Sequence, residues 1–136
     1  MNKSNLLENI DFHDSVIIDF HWKYNSIVIE FENVLIGGEF RNTESGEEFV
    51  GGKLFYVSVI ISHVSSLLID DKAAQRTSDS LMAGEDASVL DLDIEDRSIS
   101  LFVEWDNYAM RENLYRNYNI TGEEIAVLIG DETADN

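Results

Sequence analysis

Residues 89–106 read VLDLDIEDRSISLFVEWD, and the period of this stretch decides the fold class. Apolar and acidic residues alternate from Leu90 to Ile94. The turn-forming EDRS of Glu95–Ser98 follows, and Ile99, Leu101 and Val103 then alternate again before Trp105. A two-residue period belongs to a half-buried strand, and two such runs around a short polar turn make an antiparallel hairpin. Pairing them sets Leu90, Leu92 and Ile94 opposite Ile99, Leu101 and Val103 on the buried face. The other face receives Asp91, Asp93, Glu95, Ser100 and Glu104, with Val89 and Phe102 as its apolar members. Like charges opposite or diagonal on a sheet cost stability. A row of acids is therefore more than a neutral choice of surface.

The same period extends outward. Val16, Ile18, Phe20 and Trp22 alternate with Ile17, Asp19, His21 and Lys23, the Tyr24-Asn25 step turns the chain, and Ile27, Ile29 and Phe31 continue on one face. These make a first hairpin. Before it, Leu6, Leu7 and Ile10 stand at helical spacing behind Ser4, a residue suited to an N-cap, which predicts a short helix over 1–11. The segment GGEFRNTESGEEFVGG, 37–52, reads as a mobile loop or a poorly regular edge strand. KLFYVSVIISHVSSLLI, 53–69, is apolar on both alternating faces and rich in β-branched residues, the pattern of a strand buried between layers.

From Asp70 to Asp86 the alternation stops, leaving a helical turn or a long surface connection. Leu114, Tyr118 and Ile120, then Ile125, Val127 and Ile129 across Thr121-Gly122, suggest a third hairpin. A helix over Glu123–Ile129 competes, because Glu123 and Glu124 suit a helix N-terminus. Residues 131–136 should fray. The expectation is a mainly β, single-domain fold over 1–136, an antiparallel β-sandwich or strongly curved sheet with a short N-terminal helix.

Composition narrows the function. The chain of 136 residues has no cysteine, which excludes disulfides, thiolate zinc ligands and a thiol nucleophile. Nine Lys and Arg against 27 Asp and Glu give a formal charge of −18. Phosphate contacts need Lys and Arg, so nucleic acid and anionic lipid are poor partners. Opposite fields speed encounter, so a basic protein is the natural one. MNKSNLLENIDFHD lacks the apolar run of a cleaved signal, and the apolar run 54–61 is far shorter than a bilayer span. A cytoplasmic protein without membrane contact is expected.

Catalytic groups are sparse. The histidines are His13, His21 and His63. His13 next to Asp14 would need a turn to form a base with its orienting carboxylate, and FHDS reads more simply as packing Phe12 while Asp14 and Ser15 organise the turn. Asp19 and His21 share a strand face but lack a third metal ligand. His63 reads as a core or boundary residue. Rows of acids on an open sheet do not supply the paired carboxylates of a cleft, and DLDIED lacks the Gly and loop geometry of a calcium site. No phosphate-binding glycine loop or nucleophile elbow occurs. The chain is thus expected to be no enzyme and to need no cofactor or metal.

What remains is a binding surface of acids with aromatics interleaved. Its candidates are Asp91, Asp93, Glu95, Glu104, Asp106 and Tyr108, with Glu47, Glu48, Asp70 and Asp71 in loops; acids would meet Lys and Arg while an aromatic anchors the centre. The segments NIDFHDSVIIDFHWKYNSIVIEF and ISLFVEWDNY resemble those of small bacterial immunity proteins encoded beside polymorphic or contact-dependent growth inhibition toxins. The resemblance implies a cytoplasmic inhibitor that binds one cognate toxin domain, one to one, and protects the producing cell. It further implies that the toxin is a basic nuclease, an RNase or DNase, whose active site or nucleic-acid groove is occluded. The alternative is a small-ligand-binding β domain with Trp22, Tyr56, Phe102 and Trp105 lining a cavity.

Overall fold

A computed structural model describes residues 10–37, 39–43, 46–50, 52–107 and 112–133. Its strands are β1 (Ile10–Asp11), β2 (Val16–Lys23), β3 (Ser26–Ile36), β4 (Glu39–Thr43), β5 (Gly46–Val50) and β6 (Lys53–Ser62). They continue as β7 (Ser66–Ile69), β8 (Lys72–Ala73), β9 (Asp86–Ile94), β10 (Ser98–Asn107), β11 (Glu112–Thr121) and β12 (Glu124–Glu132). Ten of them form one antiparallel sheet in the order β12-β6-β3-β2-β9-β10-β11-β7-β8, with β1 beside β3, while β4 and β5 pair separately. Among the described residues the sheet does not close on itself. No helix occurs among the described residues.

The sheet is curled rather than flat. β9 and β10 lie between β2 and β11 in the strand order, a separation of about 14 Å in a flat sheet. Yet the rings of Phe20 on β2 and Tyr118 on β11 are 5.0 Å apart, edge to face. The curl therefore wraps one face around a shared core. Ile17, Phe20, Ile27, Ile29, Phe31, Val57, Val59, Ile61, Leu101, Trp105, Tyr118, Ile120 and Ile125 are buried there. Of the expected alternatives, the described residues show a single antiparallel sheet that curls, and not a sandwich of two stacked sheets.

The fold line lies between β2 and β9, which pair only through Val16↔Ser88 and Ile17↔Ala87. Beyond this point the edge of β2 is taken by the connection after β8. Trp22 donates its N–H to the Asp79 carbonyl, and Leu81 donates to that of Phe20. Arg76 stacks 4.7 Å over Trp22 and donates to the Tyr24 carbonyl and the Asp79 carboxylate. Of the two readings for 70–86, the surface connection is the one that forms, after the short β8. It bridges the gap that the fold line leaves in the sheet.

Both hairpins of the sequence form, with two shifts of face. A bulge between Ile17 and Asp19 turns Ile17 and Phe20 inward together and leaves Ile18 exposed. A second bulge pairs Val103 with Val89 and Phe102 with Asp91, so Val89 is buried and Leu90 is the extra residue, the reverse of strict alternation. One inserted residue reverses every face beyond it.

The third hairpin does not form. Both runs are strands, but β11 pairs with β10 and β7 whereas β12 pairs with β6. Between them the chain turns at Gly122, where a Cβ would lie 2.6 Å from the Ser62 carbonyl oxygen. The run 53–69 likewise divides at His63, an exposed corner residue with φ of 51°, rather than a core position. Residues 1–9 of the expected helix lie outside the described residues, and Ile10–Asp11 pair with β3 as strand. In the expected frayed tail, Asp131 and Glu132 belong to β12 and 134–136 lie outside the described residues.

Candidate functional site

The outer face of β9, β10 and β11 carries the acidic row. The registers Phe102↔Asp91, Ser100↔Asp93, Glu104↔Tyr115 and Asp106↔Asn113 put these side chains on one surface, because residues directly opposite share a face. Asp91 and Asp93 are exposed. At the centre, the Phe102 and Tyr115 rings stack with centroids 6.1 Å apart, and both remain open to solvent at 40% and 54% exposure. Two large aromatic rings left in water and framed by carboxylates are what an interface centre presents before it is covered.

Glu104 is held in place. Asn113 Nδ2 donates to its Oε2 at 2.7 Å, and the Tyr115 hydroxyl donates to the same carboxylate. That hydrogen bond, with the charge of Glu104 behind it, raises the Tyr115 phenol above its ordinary value. Asp106 lies opposite Asp86. Partial burial, the hydrogen bond with Asp86 and the nearby charges of Asp86 and Glu104 push the Asp106 carboxyl above its ordinary value. This end of the face holds negative charge under strain, which an arriving cation would relieve.

The remaining candidates sit elsewhere. Glu95 is exposed but lies in the β9–β10 turn, past the last strand residue, so it belongs to the hairpin tip and not to the sheet face. Asp70 and Asp71 form the β7–β8 turn, both with positive φ. Asp70 accepts hydrogen bonds from the Asn117 N–H and the Arg116 guanidinium, which hold its carboxyl below its ordinary value. Its charge is already paired within the fold, although the side chain is still partly exposed. Asp71 is exposed. Glu47 and Glu48 lie on β5, opposite Asn42 and Arg41, with side chains outside the described residues. Tyr108 lies outside the described residues.

Sequence reasoning missed Tyr115 and Asn113. The signal was available in Asn113, Tyr115, Asn117 and Asn119, a polar row at two-residue spacing opposite Leu114, Tyr118 and Ile120.

The FHDS turn packs Phe12 into the core, Ser15 Oγ donates to the Phe12 carbonyl, and His13 Nδ1 comes within 3.2 Å of Asp14 Oδ2 on an exposed surface. His21 Nδ1 is 3.2 Å from Asp19 Oδ2. His21 also lines a groove of about 480 Å³ on the outer face of β2, β3, β6 and β12, with Lys23, Val28, Glu30, Ile60 and Leu128. The four aromatics expected around one cavity do not converge. Trp105 is fully buried, Phe102 lies on the acidic face, Trp22 sits under Arg76, and Tyr56 is exposed on β6.

Among the described residues no group of three or more His, Asp or Glu is placed to hold a metal ion, and no helix is long and apolar enough to cross a membrane. No protein family, curated protein or solved structure matches the chain.

Proposed function

We propose that this chain is a cytoplasmic immunity protein that binds a basic toxin domain, one to one, through the outer face of β9, β10 and β11. The observation that carries the reading is the solvent-open Phe102–Tyr115 stack framed by Asp91, Asp93 and Glu104. Acids steer a positively charged partner and set its orientation, while the ring pair supplies the apolar area that holds it. A nuclease is the toxin class whose own surface is basic, since it must hold phosphates. Covering that surface with carboxylates removes the substrate's place, so inhibition requires no reaction by this chain.

The test is co-purification of the tagged chain with the C-terminal domain of the exported protein encoded immediately upstream. A tight one-to-one complex that abolishes toxicity supports the reading. A folded upstream domain that forms no complex overturns it.

A small-ligand-binding domain is the second reading, and the groove beside His21 and Lys23 favours it, since its volume falls within the range of ligand sites. A small molecule that raises the melting temperature, and loses that effect on Leu128→Arg substitution, would support this reading instead.

A further inference from the structure

We infer that the partner adds an extended segment of its own chain to the open edge of β11, beside the acidic face. The inference rests on the reading of that face as the partner-binding side. β10 pairs with β11 over its whole length, Glu112–Thr121, but on the other side β7 covers only Tyr118–Thr121. Asp70 extends this cover by one residue, donating its N–H to the Asn117 carbonyl and accepting from the Asn117 N–H through its side chain. There the cover ends.

Strand geometry tells which groups are then exposed. In an antiparallel ladder alternate residues direct both N–H and C=O to the same neighbour. Gly122 donates to the Arg97 carbonyl on the β10 side, whereas Asn117 and Thr121 bond on the β7 side. Odd-numbered residues of β11 thus face away from β10. Asn113 and Tyr115 turn two N–H and two C=O groups outward, and among the described residues no backbone group pairs with them. An unpaired edge of this kind is a template for another strand.

The surroundings specify the occupant. A strand added here would place one set of side chains beside Tyr115 and Asn113, with Glu104 one strand further in, about 10 Å away and within reach of an extended Lys or Arg. Its alternate side chains would lie beside Leu114, which is 38% exposed on the opposite face. The segment that fits therefore alternates basic with apolar residues. A second copy of this chain does not fit, because each copy carries a formal charge of −18.

Amide exchange of the full chain, followed by NMR with an eight-residue peptide of alternating Lys and Val, tests the inference. In the free protein the Asn113 and Tyr115 amides should exchange fast, while those of Leu114 and Arg116, paired with β10, exchange slowly. Saturating peptide should slow the first two at least about tenfold. Asn113→Pro removes a donor that the fold does not use, and should weaken peptide binding about tenfold or more relative to Asn113→Ala, which loses the same side chain. If Asn113→Pro fails to fold, protection in the unaltered chain decides alone. Binding without protection of either amide would overturn edge addition and leave the acidic face as the binding surface. No binding of the peptide would also overturn it, while the immunity reading still stands or falls on the complex with the toxin domain.

Discussion

The indole Nε1 of Trp105 donates a 2.8 Å hydrogen bond to the hydroxyl of Tyr118, in a core where neither side chain is more than 1% exposed. The hydroxyl oxygen satisfies the indole N–H, which can only donate, and Phe20 packs against both rings. Tyr118→Phe keeps the shape but leaves the indole N–H buried without an acceptor, which should cost about 1–3 kcal/mol. Urea unfolding monitored by Trp fluorescence measures it. An unchanged midpoint would mean that the indole finds another acceptor.

Gly122→Ala should destabilise by about 1–3 kcal/mol or more, because the new Cβ meets a backbone carbonyl oxygen at 2.6 Å and the Ile61 Cγ2 at 2.7 Å. Neither the carbonyl nor the buried Ile61 can move without disturbing the turn from β11 to β12. Thermal melting compares it with Gly130→Ala, whose nearest contact is a looser 3.2 Å. The second substitution should be the milder.

Asp70 and Asp106 should respond to pH in opposite senses. The folded state lowers the Asp70 carboxyl below 3.8, so its contribution is present above that value and is lost as pH falls through the folded value. Asp70→Asn should lower the melting temperature modestly at neutral pH, Asn being tolerant of the same positive φ, and the difference should vanish in strong acid.

The folded state raises the Asp106 carboxyl above 3.8, so its protonated form favours folding below that value and the benefit is lost as pH rises through the folded value. Asp106→Asn should therefore raise the melting temperature at neutral pH, with the gain shrinking toward pH 3. A loss of stability at neutral pH would contradict the crowding of Asp86, Glu104 and Asp106.

Asp91→Asn, Asp93→Asn and Glu104→Gln, combined, should slow association with the proposed basic partner and flatten its dependence on ionic strength, leaving dissociation less affected. Phe102→Ala should act chiefly on dissociation. Stopped-flow mixing at several salt concentrations separates the two. Unchanged association kinetics would remove this face from the interface.

Much of the sheet was legible because its strands bury one face and so carry a two-residue period. Ile27, Ile29 and Phe31 on β3, and Leu101 and Val103 on β10, are buried as their spacing demands. The bulges at Ile18 and Leu90 were not legible, since one extra residue leaves composition unchanged while inverting the faces around it. Pairing of β12 with β6 was hidden as well. Ile125 and Val127 suit a hairpin with β11 equally well, and nothing in their spacing singles out β6 as the partner. That Asp91, Asp93 and Glu104 share the outer face followed from charge and period together. The pairing of Asp70 with Arg116 was not legible, because the two are distant in sequence.

The pairing of β12 with β6 also governs when the molecule becomes whole. Ser62 must wait for Glu124, and Val57 for Ile129. Contacts between such distant positions give a high contact order, and chains built this way assemble in milliseconds to seconds, not microseconds. Until β12 has been synthesised, β6 is itself an uncovered border and Ile125 is missing from the interior. The acidic half, from β9 to β11, is adjacent in sequence and can form earlier. A nascent chain thus displays the acidic outer face of β9–β11 before the opposite half of the sheet is complete.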